Sequence, residues 1–271
     1  MEDQLVPYFD GEGEVFEQRG RPNGGVYWLA SDFMAMLGYS TFSTFENAIN
    51  RAIATCTTLK IPVAENFEQV GGDDYRLTRF ACYLVAMNGD TRKPQVALAQ
   101  AYFAGLAEAA QEYINSAQDV ERVQIRDEVS EREKGLVSAA KKAGVVDYGL
   151  FQNAGYRGMY NMNLTRLKNV KGLGDMKRSL LDFMGKRELA GNLFRITETE
   201  ARLTSEKTRG QRPAEVVAED VGKKVRKTMI ENTGTHPELL HLEGDIQGVK
   251  KGLKQAHREF LRLDKPKGKK P

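Results

Sequence analysis

FQNAGYRGMY, residues 151–160, sets three aromatics (Phe151, Tyr156, Tyr160) among amides, two glycines and an arginine. Aromatic faces beside amides and a guanidinium are what a single-stranded nucleic-acid surface uses. The same residues also suit a tight turn between packed helices. Gly155 and Gly158 would let the chain turn, the rings would fill a seam between domains, and Gln152, Asn153 and Asn161 would hold backbone groups. Rings in a helical domain bury their area more often than they stack on bases, so hinge and packing is the preferred reading. Stacking by Phe151, Tyr156 and Tyr160, with Arg157, Arg166 and Lys168 on phosphate, is the alternative.

The pattern changes character on either side of this stretch. Residues 1–112 read as a mixed α+β domain. VFEQ (15–18) and VYWLA (26–30) flank the turn sequence RGRPNGG and predict a hairpin. Ser31 is placed to cap a helix through SDFMAMLGY, with Gly38 as its left-handed stop. Phe45, Ile49 and Ile53 then recur every four residues in a second helix. VAENFEQV and YRLT around GGDD predict another hairpin, followed by an apolar helix through LTRFACYLVAMN and one opened by Pro94. Residues 113–144 read as a charged helical connector ending at Gly144. Residues 145–263 carry only helical periodicity, including a helix from Pro213 to Gly234 and a lysine-faced one, IQGVKKGLKQAHREFLRL. Residues 264–271, DKPKGKKP, are expected to be a disordered basic tail. The fold class expected is a small sheet with helices, followed by an all-α domain.

Charge divides along the same line. The 271 residues carry a net +3, yet residues 1–118 hold 8 Lys+Arg against 15 Asp+Glu, and residues 119–271 hold 32 against 22. A polyanion is therefore expected on the second half. The N-terminus is acidic, no apolar run approaches the length of a membrane span, and the two cysteines, Cys56 and Cys82, lack metal-type spacing. These features point to a cytoplasmic protein with reduced thiols and no membrane partner.

Catalytic motifs are missing. There is no P-loop, metalloprotease helix, dinucleotide turn or nucleophile elbow. HPELLH (236–241) supplies two histidines, but zinc needs three or four ligands, and GLGD (172–175) has no preceding strand. No catalytic residue, metal site or cofactor is assigned. A nuclease with carboxylates gathered from several helices stays open as the weakest alternative.

The stronger nucleic-acid candidate is VGKKVRKTM (221–229). Val221, Val225 and Met229 form one buried stripe, leaving Lys223, Lys224, Arg226 and Lys227 on the remaining surface, while Gly222 admits a neighbouring backbone. The opposing reading pairs these cations with Glu215, Glu219 and Glu231. Lys250, Lys251 and Lys254 on the last helix join the candidate set. Arg76, Arg79, Arg92 and Lys93 are a possible cluster in the first domain, set against helix-end pairing with Asp73, Asp74 and Asp90.

WLASDFMAMLGYSTFSTFENAINRA, LTRFACYLVAMNGD and KPQVALAQAYF together resemble the BRO N-terminal domain of baculovirus repeat proteins and phage antirepressors. With LFQNAGYRGMY, ELAGNLFRITETEARL and DVGKKVR added, residues 26–240 resemble the bacterial DNA-damage-inducible protein D family. The resemblance implies a non-enzymatic SOS-response protein that acts on DNA, single-stranded or coated by a RecA-type recombinase filament, near the nucleoid. It brings no catalytic residue. The runner-up is an antirepressor-like regulator whose acidic BRO-type domain engages a protein.

Overall fold

A computed structural model describes residues 14–22, 25–72, 74–107, 117–174 and 176–264. It divides the chain into two compact units, Met1–Val123 with Gln247–Pro271, and Gln124–Ile246. The tail beyond Asp264, the start of the connector, Asp73 and Asp175 lie outside the described residues.

In the first unit, VFEQ is not a strand. Glu14–Gln18 form a short helix, α1. Its Phe16 ring stacks on Trp28 at 4.3 Å, and Trp28 Nε1 donates to the Phe16 carbonyl at 2.8 Å. Four residues are too few for a period to separate strand from helix, and the tryptophan decides. The first hairpin is instead β1 (Arg21–Pro22) with β2 (Val26–Leu29). The second hairpin falls where GGDD predicts it, between β3 (Phe67–Val70) and β4 (Asp74–Leu77), with Gly72 at φ 78°. VAEN, ahead of it, is a helical turn, α4 (Val63–Asn66). Trp28 pairs with Leu77, so the antiparallel sheet runs β1-β2-β4-β3.

Of four longer helices, α2 and α5 pack on this sheet, and α3 and α6 pack on α5. Ser31 does not cap α2 (Ala30–Met36); its hydroxyl and N–H bond the Asp74 carboxylate at 2.7 and 3.1 Å and tie α2 to β4. Gly38 closes α2 at φ 72°, as expected. α3 (Phe42–Leu59) ends on Lys60, a non-glycine residue at φ 56°, with the Ile61 N–H reaching back to the Cys56 carbonyl at 2.9 Å. α5 (Arg79–Met87) has every residue buried and is capped by the Thr78 hydroxyl; α6 (Pro94–Leu106) opens on its proline. Phe16, Trp28, Phe33, Tyr83 and Phe103 make the aromatic core.

The connector is one continuous helix, α7 (Ala117–Lys142), and the division between units falls inside it, between Val123 and Gln124. Two of its arginines are paired out of solvent, Arg122 with Asp119 at 2.9 Å and Arg126 with Asp182 at 2.8 Å, while Glu128, Arg132, Lys141 and Lys142 are exposed. The second unit continues with α8 (Tyr148–Tyr160), α9 (Leu164–Val170), α10 (Lys186–Ser205) and α11 (Gln211–Thr233), plus 3-10 turns at Leu180–Phe183 and Pro237–Leu239. Among its described residues the β pairing is a single bridge, Met184 to Leu242. The first region thus holds the sheet and the second is helical, as the periodicity predicts.

The largest departure from the sequence reading is the last helix, α12 (Ile246–Leu263). Sequence order places it with the helical half. From Gln247 on, it groups with the first unit, where Phe260 meets Tyr83 at 5.4 Å and His257 lies edge-on to Phe80 at 4.7 Å. Its buried residues, Ile246, Val249, Leu253, Ala256 and Phe260, alternate three and four apart, the spacing of one helical stripe.

Candidate nucleic-acid interface

The opening decapeptide lies wholly within α8, so Gly155 and Gly158 make no turn. They make a helix crossing. A methyl group built on Gly158 would collide with the Glu219 carbonyl and stand 2.9 Å from the Gly222 Cα, and one on Gly222 would stand 2.7 Å from the Gly155 carbonyl. Glycine at both positions lets α8 and α11 touch backbone to backbone. Gly155 also makes room for the Arg195 guanidinium, which lies 5.0 Å over the Tyr156 ring. Phe151, Tyr156 and Tyr160 are buried, Tyr156 to 2% exposure, which removes their faces as stacking platforms in this conformation. Burial pushes the Tyr156 and Tyr160 hydroxyls above the usual phenol range. Asn192 donates to the Tyr160 hydroxyl at 2.6 Å, and buried Arg195 bonds Asn192 at 3.1 Å, two partners that residue spacing gave no means of finding.

The α11 cations occupy two situations. Val221, Val225 and Met229 are buried as read. Lys223, Lys224 and Lys227, with side chains 63–75% exposed, pair one turn away with Glu219 at 2.8 Å, Asp220 at 3.1 Å and Glu231 at 3.7 Å. The hydrogen bond from Lys223 holds the Glu219 carboxyl below its usual range, and bonds from Arg202 and Lys224 do the same for Asp220. Arg226 is not a surface cation. It donates to the Met159 carbonyl at 3.0 Å and to Glu238 at 2.5 and 2.7 Å, where burial opposes the Glu238 charge but the Arg226 bonds outweigh it. Lys168 clamps the Met176 and Arg178 carbonyls, Arg157 faces Glu219 at 3.4 Å, and Arg166 is exposed on α9. In the first unit, Arg76 pairs with Glu68 and Arg92 with Asp90, Lys93 bonds the Gly38 carbonyl, and Arg79 is buried, so these four form no cluster.

The cations that do converge are on α12. Lys250, Lys251, Lys254, His257 and Arg258 line one wall of an open groove of about 590 Å3; Leu59, Lys60, Ile61 and Pro62 line the other. No carboxylate is among the lining residues. Lys250 and Lys251 also interact with neighbouring groups. Leu59 and Ile61 are buried beneath the groove, and exposed Pro62 gives it an apolar floor. Lys60 reaches the rim from a left-handed backbone that costs a side-chain-bearing residue about 1 kcal/mol. Burial holds the His257 ring below the usual imidazole range, with Glu65 partly offsetting it. Sequence spacing does not join Lys60 to the α12 cations, because a groove shared by residues this far apart leaves no local pattern, whereas Arg258 stands one turn from Lys254 on the same helix.

The regrouping changes the charge of each unit. Residues 1–123 hold 9 Lys+Arg against 17 Asp+Glu, and residues 247–271 hold 9 against 2, so the first unit balances at −1. Residues 124–246 hold 22 against 18, a balance of +4. Among the described residues no three His, Cys, Asp or Glu side chains gather as a metal site, and no helix is long and apolar enough to cross a membrane.

Residues 116–249 match the family described as the DinD C-terminal domain. Among curated proteins, the DNA damage-inducible protein D of Escherichia coli (strain K12) is 37% identical, over 80% of this chain and 87% of its own length. At that identity and coverage, the chain belongs to the DNA damage-inducible protein D family.

Proposed function

We propose that the protein serves the DNA-damage response by binding DNA, single strands in preference, through the α12 groove. The observation that carries this is the groove itself: five Lys and Arg side chains and a histidine, with an apolar floor and no lining carboxylate. Cations hold a phosphate backbone whatever its sequence, and an apolar floor suits bases that are not already paired. The same groove fits a strand presented on a recombinase filament, which would let the protein modulate repair in the cytoplasm at the nucleoid without catalysing a reaction. The family name of the relative supports the DNA-damage context. The competing antirepressor-like reading rests on the acidity of a BRO-type first domain, and α12, with 5 Lys+Arg against 1 Asp+Glu, offsets half of the −8 balance of residues 1–123.

The test is fluorescence anisotropy of full-length protein with single-stranded and duplex oligonucleotides across a salt series. About four phosphate contacts on a single strand give a log–log salt slope near −3. Binding without salt dependence, or a preference for duplex, overturns the reading. Incubation with Mg2+ or Mn2+ is expected to leave both oligonucleotides intact; cleavage lost on substituting a buried acid would establish a nuclease instead.

A further inference from the structure

The groove has one wall that belongs to the body of the first unit and one that is brought to it. Residues 59–62 close α3, with the Lys60 and Ile61 N–H groups bonded to the Thr57 and Cys56 carbonyls. α12 arrives from the other end of the unit's sequence and rests on Phe80, Tyr83 and Phe103 through Phe260 and His257. Just past its last turn, the Asp264 carboxylate accepts from Arg79 Nε at 2.7 Å, with the two side chains 12% and 6% exposed. Arg79 is also bonded to Glu17, which in turn accepts from the Tyr102 hydroxyl. The Arg79 guanidinium lies 4.8 Å over the Trp28 ring. This arginine therefore joins α1, the sheet and α5 to the end of α12.

Seating α12 also sets Lys254 and Arg258 across the groove from Lys60. Like charges facing one another oppose seating, and a polyanion between them removes that opposition. We infer that polyanion binding and the seating of α12 are one coupled equilibrium, with Asp264 the positioning residue that holds the groove closed to its binding width. The inference rests on the DNA-binding reading and adds its regulation: whatever lifts α12 from the first unit releases the strand, and the strand in turn retains α12.

Asp264→Asn separates this from simple electrostatics by sign. Removing a carboxylate from a cationic site tightens polyanion binding if charge alone matters. Coupling predicts the reverse, a loss of about fivefold or more for a fluorescein-labelled oligothymidylate at constant salt. Glu17→Gln is the control, because it disturbs the same Arg79 cluster without touching α12, and it is expected to lose less. In wild-type protein, saturating oligothymidylate is expected to slow amide exchange across residues 246–263. Affinity unchanged or raised in Asp264→Asn, equal losses in both variants, or unchanged exchange in 246–263 each overturns the coupling while the DNA-binding reading stands. No binding by wild-type protein at low salt overturns both.

Discussion

Helices α11 and α12 carry much the same sequence signal, an apolar stripe with Lys and Arg on the remaining face, and the fold puts them to different uses. On α11, three lysines stand one turn from acids on the same helix, and its arginine turns inward to the Met159 carbonyl and Glu238. On α12, the cations face a groove whose lining contains no acid, and a lysine from another part of the chain joins them. Exposed ion pairs contribute about 0–1 kcal/mol each, so the α11 lysines are not locked away. A phosphate that approaches them must still displace or tolerate three carboxylates. Counting cations along a sequence measures supply, and the surroundings decide whether a polyanion can use it.

The comparison is sharpest on the inner faces. α11 is committed to α8 through Gly158 and Gly222, so Gly158→Val drives backbone against backbone and is expected to cost about 3 kcal/mol or more. Chemical denaturation with oligonucleotide binding measured in parallel checks this; a stable Gly158→Val protein would mean the crossing is not tight. Next in size, replacing Lys60, Lys254 and Arg258 together by Gln is expected to shallow the salt slope by about two units, at about 0.7 per phosphate contact. An unchanged slope would move the strand off α12.

A smaller effect comes from pH. Folding favours the neutral His257 ring, so its stabilisation is complete above about 6.5 and is lost as pH falls through the lower folded-state value. The melting temperature of the wild type is expected to drop more than that of His257→Gln as pH is lowered from about 7.5 to about 5. Parallel curves would show the ring is not linked to α12 seating. The smallest change is expected from Lys223, Lys224 and Lys227 replaced together by Gln, which should alter the salt slope by less than about one unit. A loss matching that of the groove variant would erase the distinction between the two helices.

Much of the architecture could be read from residue patterns. The GGDD hairpin, the Gly38 stop, the Pro94 start and the Val221–Val225–Met229 stripe all rest on interactions within a few residues, and all are present. The misreadings share a cause, which is that partners distant in the chain outweighed local preference. VFEQ is helical because Phe16 stacks on Trp28. FQNAGYRGMY is a helix whose glycines make room for Gly222 and Arg195, where local pattern alone suggests a turn. Of the site, the α12 lysines were legible as cations, but their opposite wall at Lys60 was not, since no periodicity links residue 60 to residue 254.

The first unit is assembled from the two sides of an inserted second unit, and this bears on how the chain is born. As synthesis proceeds, Phe80, Tyr83 and Phe103 emerge early, while Phe260, which rests on them, follows only after the 123 residues from Gln124 to Ile246. At usual elongation rates that interval is on the order of ten seconds. For that time the nascent chain displays an aromatic surface and an Arg79 still lacking its Asp264 partner, the kind of exposure that chaperones and proteases recognise. A ribosome that stops short of α12 thus leaves Phe80, Tyr83 and Phe103 without Phe260 and Arg79 without Asp264.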